Sequence, residues 1–352
     1  MIPLVSVVMP ARNSARWLGQ AIESVVLQTL SDLELLVIDD GSTDETPEIL
    51  NDWSRRDSRI RVLRQHDLGL VPALNYGLVE ARGSLLARLD ADDVSVAKRF
   101  ECQVQAMEQN PNVGLLGSWA QRIDEHGRPQ GHSMPETRHE KLVEILTRGN
   151  PFIHSTIMLR TELVRRLGGY RAAFEAAEDY DLWLRMSEVT LLANVAEPLV
   201  YYRRHSASVT AQNAIRQAFS VRLAQRAAQL RRRTGYDPAT YLATPPDWRI
   251  PQALSAFYAE DVATYRLLDL ADPDRANRNK DVDFSPLLHR ISLLNHAERR
   301  LAARAVINQF RRAPAHNALQ TARVLAQMIW QRPGMALLAA RCLFDRSGAA
   351  SG

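Results

Sequence analysis

The sequence predicts an α/β fold: a mostly parallel sheet flanked by helices and followed by a helical C-terminal region. Three observations carry this. Apolar runs rich in β-branched residues alternate with segments of helical period from the N-terminus to about Gln109. Three of those runs end in short polar or acidic segments. After about Thr210 the composition turns to Ala, Leu, Arg and Gln, and strand signals stop. Strands alternating with helices of this length mean β–α–β units, and therefore parallel neighbours.

The elements follow in order. Val5-Ser6-Val7-Val8-Met9 reads as a buried strand closed by Pro10. From Ser14 to Leu30, the positions Leu18, Ile22, Val25, Val26 and Leu30 recur at helical spacing, with Ser14 as the N-cap. Leu33 to Ile38 is a second buried strand, ended by Asp39-Asp40-Gly41-Ser42, and Thr43 or Asp44 caps a helix from Glu45 to about Arg56. Arg59 to Leu63 alternates as a third strand, Val71 to Ala81 is helical, and Gly83 punctuates its end. Leu85 to Leu89 is a fourth strand that runs into Asp90-Ala91-Asp92-Asp93, with helix again from Val96 to Gln109. Beyond Pro111, Val113 to Ser118 and Ser155 to Leu159 are expected as strands, and Glu136 to Arg148 and Tyr180 to Ser187 as helices. Gly235, Pro238, Pro245 and Pro246 mark a boundary, which divides the chain into an α/β domain, residues 1–235, and a helical region, residues 236–352.

Composition excludes several classes. The 352 residues are 46% hydrophobic and 24% charged, ordinary for a folded protein with a sizeable core. A formal charge of +4 is too weak to argue for nucleic acid, and suits anionic small molecules or an anionic membrane surface. The two cysteines, Cys102 and Cys342, have no metal-site or disulfide spacing, so a reducing compartment is the default. Ile2 to Ala11 is uncharged but has no basic segment before it, which reads as a strand rather than a secretion signal. No uncharged run approaches the roughly 20 residues of a membrane span. The expectation is a cytoplasmic protein.

In an open parallel sheet, ligands sit outside the carboxyl ends of the strands. Pro10-Ala11-Arg12-Asn13, Asp39-Asp40-Gly41-Ser42 and Asp90-Ala91-Asp92-Asp93 should therefore open onto one cleft. Asp90, Asp92 and Asp93 crowd three like charges into four positions. A divalent cation with bound phosphates resolves that repulsion, and hard oxygen ligands suit magnesium or manganese; as an isolated motif such a run is usually just a solvated acidic turn. Asp40 can accept hydrogen bonds from a base or ribose, or simply form an Asp-Gly turn. Glu178-Asp179-Tyr180-Asp181-Leu182-Trp183 places acids at a helix start, where they either balance the helix dipole or supply a base for an acceptor hydroxyl. His154 and His205 are the two histidines that stand out. His205 follows two arginines, Arg203 and Arg204, a good place to meet a diphosphate as metal ligand or through the arginines.

Taken in order, Val7-Val8-Met9-Pro10-Ala11-Arg12-Asn13, Val37-Ile38-Asp39-Asp40-Gly41-Ser42-Thr43-Asp44, Leu89-Asp90-Ala91-Asp92-Asp93 and Glu178-Asp179-Tyr180-Asp181-Leu182-Trp183 resemble the family 2 glycosyltransferases of the GT-A fold. Gly69 with Ala73-Leu74-Asn75, and His154-Ser155-Thr156 before Arg160, are similar too. The resemblance covers roughly residues 4–210. It implies inverting transfer from a nucleotide-diphosphate sugar, UDP being the common case, to a hydroxyl of a glycan or lipid-linked acceptor. Pro10, Ala11, Arg12, Asn13, Asp40, Asp90, Ala91 and Asp92 fall at the nucleotide-sugar positions, Asp92 and His205 at the metal, and Asp179 at the general base. His154, Glu178 and Trp183 fall beside the acceptor or behind the groups that touch it. The implied cofactor is a divalent metal, Mn2+ or Mg2+. Ala97 departs from the proline many relatives carry, which touches a helix start and not the chemistry.

Two other classes compete with this reading. A dinucleotide dehydrogenase needs a glycine-rich turn after the first strand, where Pro10-Ala11-Arg12-Asn13 stands, and a phosphate-binding P-loop is absent as well. A non-catalytic nucleotide-sugar or glycan-binding module of the same fold would tolerate loss of the base, which is present here. The mix of Leu325, Ile329, Met335, Leu338 and Leu343 with Arg323, Arg332, Arg341 and Arg346 suits either a helical cap or peripheral contact with the inner face of a membrane, with Pro333 breaking any single long helix.

Overall fold

The computed structural model describes residues 2–205, 214–247, 257–259, 261–262, 264–265, 294, 296–312, 324–326 and 328–329. The chain divides into two compact units, Met1–Gln212 with Ala228–Pro245, and Asn213–Ala227 with Pro246–Gly352.

The first unit is built on one mixed sheet. Its strands are β1 (Val5–Ala11), β2 (Leu33–Asp40), β3 (Ile60–Gln65), β4 (Leu85–Arg88), β5 (Val94–Ser95), β6 (Val113–Ile123), β7 (Pro129–Ser133), β8 (Met158–Arg160) and β9 (Leu191–Arg203). They lie in the order β3-β2-β1-β4-β8-β6-β9-β5, with β7 paired to β6. β1, β2, β3 and β4 are mutually parallel, as the alternating pattern requires. Helices α1 (Ala15–Val26), α2 (Thr46–Arg56), α3 (Leu70–Glu80) and α4 (Arg99–Gln109) follow β1, β2, β3 and β5. All of β2 is buried, and β1 is buried save Pro10, which is why these strands read as continuous apolar runs rather than alternating ones. Val7, Met9, Leu35 and Val37 pack with Leu18, Ile22 and Val25 of α1 in one core.

Beyond β4 the sheet turns antiparallel, through β4 with β8 and β8 with β6, and then β6 and β9 run parallel. Here the structure corrects the sequence reading. Ser155 and Thr156 lie in a 3-10 turn, His154–Thr156, and only Met158–Arg160 forms the strand. The turn is stabilised by Thr156, whose amide and hydroxyl both donate to the Ile153 carbonyl. Helix does not begin at Val96, because Val94–Ser95 pairs with Tyr201 and Val200 of β9 and the α4 helix starts at Arg99. Helix α5 is shorter than expected, His139–Leu146, since Glu136 spends its carboxylate on the amides of Thr137 and Arg138. Helices α6 (Thr161–Arg166) and α7 (Glu178–Met186) complete this part.

The site's loops are tied together locally. Asp44 caps two helices at once: Oδ1 accepts from Thr46 N at 3.1 Å and Oδ2 from Ala15 N at 3.1 Å, while Thr46 Oγ1 accepts from Ser14 N at 2.9 Å. Ser14 stands at the N-cap position of α1 but its side chain makes no capping hydrogen bond, because this reciprocal arrangement already serves the helix starts. Asn13, at φ 47, accepts from Thr43 N at 2.8 Å and donates its own amide to Ser42 Oγ at 3.0 Å. The segments after β1 and β2 are thus locked to each other.

In the second unit, Arg222 on α8 (Ala214–Thr234) pairs with buried Glu298 on α9 (His296–Arg312), which also accepts from Tyr265 Oη at 2.5 Å. Phe219 packs edge-on against Tyr265. Of the C-terminal residues singled out above, Leu325 and Ile329 are described; Arg323, Arg332, Pro333, Met335, Leu338, Arg341, Leu343 and Arg346 lie outside the described residues. Among the described residues, no helix is long and apolar enough to cross a membrane.

Candidate active site

The acidic turn after β4 sits where the parallel strands end. Asp90, Asp92 and Asp93 each present a carboxylate oxygen, all within 4.8 Å of one another. Each is handled differently. Asp90 meets the Arg88 guanidinium at 2.5 Å and accepts from Ser155 Oγ at 2.9 Å. Burial raises its pKa, but the Arg88 charge and hydrogen bond outweigh that and hold it below the usual carboxylate value. Asp92 is pushed up by burial and by the Asp90 charge, against the opposing contact of its Oδ2 with His205 Nε2 at 2.8 Å. Asp93 is buried and pushed up further, by desolvation and by both neighbouring acids. Its Oδ1 accepts from Arg203 N at 2.7 Å, while Oδ2 is buried with no hydrogen-bond partner.

His205 comes to this turn from the end of β9. Its ring lies 4.5 Å from Trp17 of α1, between centroids, and its Nδ1 is buried without a partner. Arg203 locks the surroundings: Nε donates to Asp92 O at 2.8 Å, NH1 to Asp124 O at 3.2 Å and Glu125 O at 3.4 Å, and NH2 to Gln20 Oε1 at 2.8 Å. The two arginines before His205 are placed differently. Arg203 is buried and its donors go to the protein's own carbonyls, whereas Arg204 is exposed.

A second acidic group opens α7. Asp179, half-buried, accepts from Asn150 Nδ2 at 2.7 Å, and Tyr180 N donates to its Oδ1 at 2.6 Å. Burial raises its pKa despite these bonds and the Arg88 charge. Glu178 is buried, its Oε2 has no partner, and desolvation together with Asp179 pushes its pKa up to about 8. The chain enters this helix through Ala176 at φ 65, a conformation uncommon outside glycine. Asp181 is not a dipole-balancing surface acid: it is buried and paired with Arg171 and Arg185.

Behind these acids, His154 Nε2 lies 3.0 Å from Tyr170 Oη, and the ring meets Trp183 edge-on at 5.8 Å. Desolvation and the Arg88 charge depress the His154 pKa well below its ordinary value, so it is neutral at pH 7. Trp183 is fully buried and supports His154 from the core.

The "Glycosyl transferase family 2" profile matches residues 6–168. The chain is 32% identical over 212 residues to the O-antigen biosynthesis glycosyltransferase WbnJ of Escherichia coli, covering 59% of this chain and 82% of that one. The chain belongs to the family 2 glycosyltransferases. It is also 33% identical over 213 residues to an uncharacterized glycosyltransferase of Haemophilus influenzae, covering 58% of this chain and 66% of that one. The fold is similar to that of Staphylococcus aureus TarS, residues 1–349, in complex with UDP-GlcNAc, with a TM-score of 0.55 and 15% identity over 96% of this chain and 88% of that one.

On this glycosyltransferase the residues expected on the nucleotide side sit as follows. Pro10 and buried Ala11 end β1, and exposed Arg12 pairs with Asp67. Asp40 is buried with both oxygens engaged, accepting from Gln65 Nε2 at 2.8 Å, Leu68 N at 2.8 Å and Gly69 N at 2.9 Å. Its carboxylate therefore holds the loop that leads into α3. Gly69, at φ 94, supplies the left-handed turn there. Ala91 is buried within the acidic turn. Arg88, Ser155, Trp17 and Asn150 also touch the predicted acids or His205, and none is among the site residues that the sequence singles out. Arg88 had one signal, a charge inside an otherwise apolar strand, Leu85 to Leu89.

Proposed function

We propose that this glycosyltransferase moves a sugar from a nucleoside-diphosphate sugar, of the UDP type, to a hydroxyl of a glycan or lipid-linked acceptor, with inversion, divalent-metal assistance and Asp179 as the base. One observation carries the metal side: His205 Nε2 faces Asp92 Oδ2 at 2.8 Å, beside the buried, unpartnered Asp93 Oδ2. Three crowded carboxylates, two with raised pKa values, together with an imidazole and an orphaned oxygen, fit Mn2+ or Mg2+. Asp92 and His205 are the residues assigned to hold it. A cation held there would supply positive charge to balance that developing on a departing diphosphate.

The remaining work falls to side chains of this chain. An acceptor hydroxyl is a poor nucleophile at neutral pH, so a carboxylate must take its proton as the new bond forms. Asp179 has the chemistry for this: it is half-buried, its pKa is raised so that it is a stronger base than a free aspartate, and Asn150 orients Oδ2. Glu178 is carried protonated near neutrality, which leaves Asp179 as the charged member of the pair. The relative WbnJ, named for O-antigen biosynthesis, supports a glycan acceptor.

The test is Asp179→Asn. A thermal-shift screen of nucleoside diphosphates with and without Mn2+ first identifies the nucleotide. With it, calorimetry should show affinity unchanged, while turnover falls by roughly 10²–10⁴, the usual worth of a positioned base. Loss of affinity and turnover together would overturn the assignment, as would a variant that keeps its rate.

A further inference from the structure

Arg88 ends β4 and is 3% exposed. A guanidinium taken out of water costs several kcal/mol unless its partners compensate, so those partners define what it does. One end meets Asp90 Oδ1 at 2.5 Å, and NH1 donates to Ser155 Oγ at 3.1 Å. Ser155 donates its hydrogen to Asp90 Oδ2 at 2.9 Å and accepts the Asp90 amide at 3.1 Å. The hydroxyl is thus used in full, one donor and two acceptor positions. Both carboxylate oxygens of Asp90 are held by the protein itself. Neither Arg88 nor Ser155 reaches Asp92 in this way; its Oδ2 faces His205. Arg88 is fixed from behind by Arg99, whose NH2 donates to the Arg88 carbonyl at 2.8 Å.

We infer that Arg88 and Ser155 form a positioning pair that withdraws Asp90 from the metal ligands and confines the cation to the Asp92–His205 side of the acidic turn. The inference rests on the metal reading above. A guanidinium suits the task, because its planar fork bridges a carboxylate and a hydroxyl at once, where an ammonium offers a point charge. Its fixed positive charge beside Asp90 also repels a dication there. Without the pair, Asp90 is a free hard-oxygen ligand next to the site, so the cation binds more tightly and in a displaced position.

The experiment uses the full chain and two probes, Mn2+ and UDP. Mn2+ binding is followed by calorimetry and by its paramagnetic resonance spectrum, with and without UDP, in the wild type, Arg88→Met, Arg88→Lys, Ser155→Ala and Asp92→Asn. Turnover is read as UDP release from the UDP-sugar that the wild type consumes fastest. Arg88→Met should bind Mn2+ more tightly with an altered spectrum, and kcat should fall about 10- to 100-fold, the range for groups that orient metal ligands, with a smaller change in KM. Ser155→Ala should move affinity and kcat in the same directions by less. Arg88→Lys, which keeps the charge, should restore Mn2+ affinity toward the wild type. Unchanged Mn2+ affinity and spectrum in a folded Arg88→Met protein would overturn the inference. If that variant does not fold, unchanged affinity and kcat in Ser155→Ala would do so. Wild-type Mn2+ binding that disappears in Asp92→Asn while Arg88→Met matches the wild type overturns this inference alone. Wild-type protein that binds no Mn2+ with UDP overturns the metal reading and the inference with it.

Discussion

His205 Nε2 lies 2.8 Å from Asp92 Oδ2 across 113 positions of sequence. The contact exists because β9 runs parallel to β6 and ends beside the two-residue strand β5, which directly follows the acids. Asp92→Asn removes one charge from this contact. Turnover should drop to a small fraction of the wild type, while the melting temperature without metal stays equal or rises, since the lost charge is one that burial and Asp90 destabilise. Mn2+ with UDP should raise the wild-type melting temperature by mass action and leave the variant where it was. Differential scanning fluorimetry beside a turnover assay checks both.

Glu178 gives a pH dependence of known sign. Its folded pKa, about 8, lies above the ordinary 4.5, so the folded state holds the proton more tightly than the unfolded state. Its contribution is full below about pH 4.5 and is lost as pH rises through about 8. Glu178→Gln mimics the protonated form. Relative to it, the wild type should lose stability from about pH 5 to 8, with a slope of at most about 1.4 kcal/mol per pH unit. Chemical denaturation of both proteins at several pH values measures the difference, and parallel curves would show that Glu178 is ionised in the fold.

Arg203 and Arg204 are neighbours with opposite expectations. Arg203→Met leaves the Asp92 carbonyl without its donor and takes one of two donors from the carbonyls of Asp124 and Glu125, which keep Gly127 N and Trp17 Nε1. An unsatisfied buried group costs about 1–3 kcal/mol, so this variant should be clearly destabilised and nearly inactive. Arg204→Gln, at an exposed position, should fold with wild-type stability. Urea unfolding of the two variants side by side makes the comparison.

Gly83 tests the opposite end of the sheet. A Cβ there would stand 2.6 Å from Ser6 N and 2.9 Å from Leu4 O, both backbone atoms that cannot move aside. Gly83→Ala should cost about 1–3 kcal/mol by overpacking. Its kcat should match the wild type at a temperature where it is folded, because the site lies beyond the other ends of these strands. A lowered kcat with normal stability would contradict that placement.

Local pattern determined a large part of this protein. The parallel half of the sheet, the helices between its strands and the polar segments beyond them follow from apolar runs and helical periodicity, because strands buried on both faces must be apolar throughout. The same alternation brought Asp40 and the Asp90–Asp93 turn to the strand ends, and the order of the motifs is that of a family 2 glycosyltransferase. The tertiary structure alone decided which partner each acid meets. Asp90 is engaged by Ser155, Asp92 by His205 and Asp181 by Arg171, through contacts spanning 65, 113 and 10 positions. It also placed the Arg203 guanidinium among carbonyls, and turned Ser155 out of the expected strand into a 3-10 turn beside Asp90. The physical reason is common to all of these. A charge's role is set by burial and by the partners within a few ångströms, and those partners come from distant segments whose meeting no local period encodes.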